Sequence, residues 1–119
     1  MSKDDEVGRL KRAPDWRATL IILESAFAKD SRVWRYVDLG REEISFREIL
    51  DDGTFSSGER TLLSVAASLF NRDHSINLWE VLNRLDDTNA ALVLTAIQSF
   101  IGEQDAQFTS ATSVDGSLA

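Results

Sequence analysis

The sequence predicts an all-α fold, a compact bundle of five to six helices over residues 13–102. Three observations lead to it: capping residues precede several segments, apolar residues recur at helical spacing, and no strand-like alternation is bounded by hairpin turns. At 119 residues the chain forms one domain with a single core. Residues 1–12 and 103–119 are mostly polar, so we expect a flexible N-terminal arm and a disordered acidic tail.

A central helix is predicted over residues 56–71, around which the other helices pack. Ser56 and Glu59 fit the S-x-x-E capping box, in which each side chain satisfies a backbone donor left open at the helix start. Apolar side chains fill an arc of roughly 200° on this helix, so we expect it to be nearly enclosed. Ala66 lies within that arc and permits the close approach of a second helix.

The five residues 56–60, Ser-Ser-Gly-Glu-Arg, resemble the signature motif of ABC-type ATPases. The resemblance implies that the Ser and the Gly backbone contact a nucleotide phosphate across a dimer. That motif acts only together with a Walker A loop and an acidic Walker B strand, and the sequence contains neither. We therefore interpret the stretch as a capped helix start and carry no nucleotide function over to it.

Three helices are predicted before the central one. The first begins at Pro14, a residue suited to the first helical turn, and runs to about Ala28. A short second helix follows a cap at Asp30 or Ser31 and ends at Leu39-Gly40. A third, of about two turns, opens with another S-x-x-E pair, Ser45 and Glu48.

Two helices are predicted after the central one. Asn77 is a natural N-cap, and its helix should bury a stripe of Leu78, Val81, Leu82 and Leu85. The last helix runs from about Thr88 to Ile101 and stops at Gly102. A short extended piece near Ile44–Phe46 or Ser75–Ile76 is the only strand expected. The most buried positions should include Trp16, Phe27, Trp34, Leu62, Leu63, Ala66, Phe70, Leu82, Val93 and Ile97.

The last helix is unusual because Thr88–Ile101 contains no charged side chain. Its core-facing arc is predicted to consist of Ala90, Val93, Leu94, Ala96, Ile97, Phe100 and Ile101. The opposite face would carry Ala91, Leu92, Thr95, Gln98 and Ser99. A solvent-facing side normally carries charges, so these five residues are predicted to contact another protein or a second copy. The alternative is that the N-terminal arm or the tail covers Leu92.

The net charge of −7 opposes binding to nucleic acid phosphates unless the basic residues gather on one face. The pair of helices from Asn77 to Ile101 resembles a helix-turn-helix in its spacing, but the second helix has no Arg or Lys to contact DNA. Eight basic residues are interleaved with aromatic ones: Lys11, Arg12, Arg17, Lys29, Arg32, Arg35, Arg41 and Arg47. They could bind RNA or an acidic protein, although acidic neighbours cancel their charge. Nucleic acid is therefore an unlikely partner.

Residues for catalysis or metal binding are sparse. The chain has no cysteine, its single histidine is His74, and the adjacent acids of Asp51-Asp52 and Asp86-Asp87 point apart in turns. We expect no enzymatic activity, no metal and no cofactor, and only a cleft lined by Asp51, Asp52 or His74 would revive the enzyme hypothesis. The start carries no apolar run and no segment is long enough to span a membrane, so we expect a cytoplasmic protein.

The leading functional prediction is a small acidic, non-enzymatic protein-interaction module, such as a regulator, adaptor or inhibitor. It would bind another protein or itself through the uncharged last helix. The alternative is a nucleic-acid-associated protein, either a divergent helix-turn-helix or an acidic mimic of DNA.

Overall fold

A computed structural model describes the backbone of residues 3–115 and the side chains of residues 5–102. The described part is mostly helical and contains seven helices: α1 (Lys3–Leu10), α2 (Pro14–Ala26), α3 (Ser31–Trp34), α4 (Phe46–Asp51), α5 (Ser57–Phe70), α6 (Leu78–Arg84) and α7 (Asp87–Asp115). Two short strands, β1 (Val37–Asp38) and β2 (Glu43–Ile44), form an antiparallel pair between α3 and α4. The all-α prediction is therefore correct in class.

Helix α2 makes the most extensive contacts in the described part of the chain, with α7 on one side and α5 on another. Its sequence suits this position, because four apolar side chains within a span of six residues are fully buried: Ala18, Leu20, Ile22 and Leu23. Pro14 occupies the first turn as predicted, with Asp15 beside it. Trp16 is also buried, and its ring meets the ring of Phe70 edge-on at 4.9 Å.

Helix α5, the predicted central helix, contacts α2, α4, α6 and α7. Its capping box is confirmed: Ser56 Oγ accepts from the Glu59 backbone at 3.1 Å, and Glu59 Oε1 accepts from the Ser56 backbone at 2.8 Å. These residues, which resemble the ATPase signature, thus serve to start a helix. Ala66 is fully buried and Ala67 nearly so, which allows α5 to pack closely on its neighbours.

The second predicted helix is wrong beyond its first turn. Asp30 caps α3 by accepting from the Arg32 backbone at 3.0 Å, but α3 ends at Trp34 and the chain enters β1. Val37 pairs with Ile44 across the two strands. β-branched residues such as these favour extended backbone, and this local preference outweighs the helical spacing of residues 33–37.

The predicted capping box at Ser45 is absent, because its side chain makes no cap hydrogen bond. The backbone N–H of Ser45 instead donates to Tyr36 O at 3.0 Å and extends the strand pair by one bond. That donor is the group that Glu48 would have satisfied in a capping box. The strand pair therefore removes the need for the cap.

Most of the predicted core is confirmed. Six of the named residues are buried: Trp16, Phe27, Leu62, Leu63, Ala66 and Val93. Trp34 and Phe70 are half-buried, and Trp34 Nε1 donates to Phe27 O at 2.7 Å. The prediction is wrong for Leu82 and Ile97, because their side chains are 64% and 36% exposed. Both belong to the surface described below.

The chain ends differ from the expectation in secondary structure. Residues of the predicted arm form α1, whose Leu10 is 3% exposed and packs with Trp16, Leu20 and Leu39. Helix α7 was predicted to stop at Gly102 and continues to Asp115. The side chains of the predicted tail, residues 103–119, lie outside the described residues, so its disorder stays a prediction. Among the helices described, none combines the length and apolarity needed to cross a membrane.

Burial of Ala66 leads to a stability prediction. The variant Ala66→Asp places a carboxylate where no side chain offers it a partner, at a cost of several kcal/mol, which is comparable with the stability of a small domain. We expect it to lack a cooperative thermal transition by circular dichroism.

The matched control is Ser57→Asp, which adds the same charge at the exposed first turn of α5. The helix dipole favours an acid there, so its melting temperature should equal or exceed that of the wild type. A cooperative Ala66→Asp transition at the wild-type temperature would contradict the packing of α5.

Candidate functional site

Exposed apolar side chains gather on two consecutive helices. Every large hydrophobic residue that is exposed, within the side chains described, lies on α6 or α7. We call this set the α6–α7 apolar surface: Leu78, Trp79, Leu82, Leu94, Ile97, Phe100 and Ile101. Trp79 is 72% exposed and Leu94 is 60% exposed. Single exposed apolar residues are normal, but a concentration on two consecutive helices is typical of a binding surface.

Helix α6 exposes apolar residues because it is only seven residues long. Asn77 Oδ1 accepts from the Glu80 backbone at 3.0 Å and starts the helix as predicted. Of the predicted buried stripe, Val81 is buried against the core and Leu85 is half-buried. The prediction is wrong for Leu78 and Leu82, which are 63% and 64% exposed.

The orientation of α7 is set by its contact with α2. Arg17 Nε donates to Ser99 Oγ at 2.9 Å, and Arg17 Nη2 donates to Ser99 O at 2.7 Å. Val93 and Ala96 are buried on the same side of α7, while Leu94 and Ile97 face outward. The helix is thus rotated about its axis relative to the prediction, and part-buried hydrogen bonds from Arg17 hold Ser99 on the inward side.

The five predicted interaction residues are therefore divided between two faces. Ala91, Thr95 and Gln98 are exposed as predicted. Leu92 is half-buried against the core cluster, and Ser99 is bonded to Arg17. Leu94, Ile97 and Ile101 were assigned to the core and are instead exposed. The sequence signal that remains valid is the absence of charge over Thr88–Ile101, which does not depend on the rotation.

Charged groups near this surface lie on α6, at the start of α7 and beside Phe100, which lines a pocket together with Asp15 and Arg72. Glu80 and Arg84 lie on α6, and Asp87 stands in the first turn of α7. Asp86 Oδ1 accepts from the Asn89 backbone at 2.8 Å and caps α7. The acids at this helix start are favoured by its dipole. The middle of α7 is neutral on every side.

A second feature is a groove of about 650 Å³ between α4 and the end of α5. Its lining includes Asp51 and His74, two of the three residues whose presence in a cleft would revive the enzyme hypothesis. Phe46, Leu50 and Phe70 supply apolar walls, and Asp51 is exposed while His74 is half-buried. Asp52 is not part of the lining. Ser45 and His74 both line the groove, but no hydrogen bond joins their side chains, so the groove identifies no reaction.

The main charged cluster is centred on Arg32, where α3 meets the loop before α5. Arg32 holds Asp30 with two hydrogen bonds of 2.6 and 2.9 Å, and Glu59 lies 3.7 Å away. It also donates to both oxygens of Thr54 and stacks 4.1 Å from the centroid of Phe55. These contacts occupy the guanidinium within the protein. The cluster therefore fixes a loop rather than presenting a charge to a ligand.

Other basic residues that were considered for RNA or an acidic protein also have partners in the structure. Lys11 pairs with Glu24 at 2.8 Å, and Arg41 lies 3.9 Å from Asp38. Arg17 is bonded to Ser99. Three of the eight basic residues considered, Lys11, Arg32 and Arg41, thus pair with acidic neighbours. Among the described side chains, no group of three or more potential ligands is arranged to hold a metal ion.

The family models, the curated proteins and the solved structures with which the chain was compared include none that matches it. The functional argument for this protein therefore depends on its own surface chemistry.

The Arg32 cluster leads to a pH prediction. The side-chain hydrogen bond from Arg32 lowers the pKa of Asp30 below 3.8, although partial burial opposes the shift. A lowered folded-state pKa contributes stability that is present above pH 3.8 and is lost as the pH falls through the folded value. Asp30→Asn keeps an acceptor for the helix cap and removes the charge, so it should lower the melting temperature by a few degrees at pH 7.

The deficit of Asp30→Asn should shrink as the pH falls below 3.8 and disappear once Asp30 of the folded wild type is also protonated. Asp73→Asn, in the exposed loop after α5, is the matched control and should melt like the wild type at every pH. A deficit that persists unchanged at the lowest pH would show that the charge of Asp30 is not its origin.

Proposed function

We propose that this protein is a small, non-enzymatic protein-interaction module that binds another protein or itself through the α6–α7 apolar surface. The observation that carries the proposal is the concentration of exposed large apolar side chains on these two helices. Burying one such side chain contributes about 1.5–3 kcal/mol, so a few of them supply most of a micromolar affinity. A regulator, adaptor or inhibitor fits this chemistry.

The composition of the surface supports a protein partner. Interface cores are depleted in charge and enriched in aromatic residues, and here Trp79 and Phe100 accompany aliphatic side chains. Trp79 is a natural anchor because large aromatic residues dominate the energetics of interfaces. Glu80 and Arg84 lie on the same helix and would form part of a polar rim.

Nucleic acid association is the weaker alternative. A helix-turn-helix would place the start of α7 at the DNA, and that start carries Asp87 after the cap residue Asp86. Two carboxylates repel the phosphate backbone, and Thr88–Ile101 offers no compensating cation. We also propose that the protein requires no cofactor and acts in the cytoplasm.

The test is an affinity capture from the native cell lysate, with and without nuclease, that compares three forms of the full chain. Leu82→Glu/Leu94→Glu places two charges within the apolar surface at residues that are both more than half exposed. Loss of two leucines that the bound partner would bury should weaken binding roughly 100-fold. A stoichiometric protein captured by the wild type should therefore be lost.

The matched control is Asn83→Glu/Thr95→Glu, which adds the same two charges at exposed polar neighbours on the same helices. It should retain the captured protein, and thermal melts should be alike for all three forms. Capture by Leu82→Glu/Leu94→Glu equal to that of the control would contradict the proposed surface. A partner lost on nuclease treatment would favour the nucleic acid alternative.

A further inference from the structure

A small pocket lies where the first half of α5, the loop before α6 and α6 itself meet. Its volume is about 250 Å³, which is below the usual range for sites that hold drug-sized ligands. Arg60 of α5 and Arg84 of α6 line it, together with Ser64 and Ser75. We call it the Arg60–Arg84 pocket. No residue of the α6–α7 apolar surface lines it, so it is a separate feature of the molecule.

Arg60 is held in place without being neutralised. Its Nη1 donates to Asp52 O at 2.9 Å, and its Nη2 donates to Leu50 O at 2.7 Å. Both acceptors are neutral backbone carbonyls, and no carboxylate pairs with Arg60 within the described part of the chain. A guanidinium has further N–H donors beyond these two, and they remain available to a ligand. Arg60 therefore contributes a positioned positive charge to the pocket.

Arg84 is the second cation of the pocket. It is exposed, and it makes no hydrogen bond or ion pair with any residue that the structure describes. Glu80 stands four residues before it on α6, at a spacing where an acid and a base commonly pair along a helix. That pair is not formed here, although both side chains line the pocket. All the donors of Arg84 are thus open to a molecule that enters.

The lining of the pocket is rich in donors and locally positive. Two guanidiniums stand against the single carboxylate of Glu80, so the lining has a net charge of +1 in a chain of net charge −7. The hydroxyls of Ser64 and Ser75 form no hydrogen bond within the described residues, and each can donate to an oxygen. A concave site of one sign concentrates ions of the opposite sign. Its ligand should therefore be an anion with several acceptor oxygens.

We propose that the Arg60–Arg84 pocket binds a phosphate group, either as the free ion or on a small phosphomonoester. A phosphate presents oxygens in several directions at once, and guanidiniums match it with parallel N–H donors. A single carboxylate would leave more of the donors on the two helices and the loop unused. The small volume limits the rest of the ligand to a few atoms. This inference goes beyond the proposed function, because it assigns a different site and a different ligand.

The first experiment titrates the purified full-length chain with sodium phosphate and, separately, with glycerol 3-phosphate. It is followed by ¹H–¹⁵N NMR at about pH 7.5, where both ligands are largely dianionic, and sodium chloride keeps the ionic strength constant. The backbone amide signals of Ser64, Ser75 and Arg84 should shift and saturate in the millimolar range, since the pocket is open to solvent and Glu80 opposes an anion. Tighter binding of glycerol 3-phosphate would identify the phosphomonoester as the ligand, and tighter binding of inorganic phosphate would identify the free ion.

The second experiment repeats the titration with variants of the lining. Arg84→Gln should raise the dissociation constant about tenfold, on the order expected for lost charge-assisted hydrogen bonds. Arg47→Gln is the matched control, because Arg47 is also exposed and unpaired among the described residues, and it lies outside this pocket. It removes the same charge and should leave the dissociation constant nearly unchanged. Glu80→Gln should strengthen binding severalfold, since it removes the one like charge in the lining.

Three results would overturn the phosphate site. They are shifts that do not saturate, equal losses of affinity in Arg84→Gln and Arg47→Gln, and weaker binding by Glu80→Gln. The proposed function has its own readout, because Leu82→Glu/Leu94→Glu is scored by the capture of a protein. A failed phosphate titration leaves that capture unaffected, and a failed capture leaves the titration unaffected. Circular dichroism melts of every variant separate a lost site from a lost fold.

Discussion

The packing of α2 between α5 and α7 is the constraint on which the rest of this structure depends. A helix enclosed on two sides must be apolar around most of its circumference, and the fully buried run that includes Leu20, Ile22 and Leu23 meets this requirement. Thr19 is buried among them, whereas the charged Arg17 and Glu24 lie on a half-buried strip. Arg17 lies there and is bonded to Ser99 of α7, so one side chain links the core to the orientation of the last helix.

The exposed apolar face of α7 is a consequence of that link. With Ser99 turned inward, Val93 and Ala96 enter the core and Leu94 and Ile97 face outward. The same neutral sequence would expose different residues if α7 rotated by half a turn. A hydrogen bond between a guanidinium and a backbone carbonyl is directional, whereas apolar contacts are not, so it is well suited to selecting one rotation.

The sequence predicted those features that depend on neighbouring residues. Caps at Ser56 and Asn77 lie within three residues of their partners, and the broad apolar arc of α5 is periodic over a single helix. These signals identified most of the helices and most of the core. The β1–β2 pair was less predictable, because each strand has only two residues and too few positions to display alternation.

The rotation of α7 was not predictable in the same way. The bonds that set it join Arg17 to Ser99, 82 residues apart, and neither side chain stands out in its own segment. Helix α7 is apolar around much of its circumference, so its pattern fitted more than one face, and the core-facing arc predicted from it is rotated from the observed one. The absence of charge over Thr88–Ile101 predicted a buried or bound surface without indicating which side. That distinction required the tertiary contact.

Binding at α7 and the stability of the domain are therefore coupled. The outward face of α7 exists only while its inward face packs on α2, so a partner that covers Leu94 and Ile97 binds the folded state and not the unfolded one. Such a partner raises the free energy of unfolding by about 2.7 kcal/mol at one hundred times its dissociation constant. A small domain with an apolar surface of this kind would gain much of its stability from the partner, and the unbound chain would be its most vulnerable form.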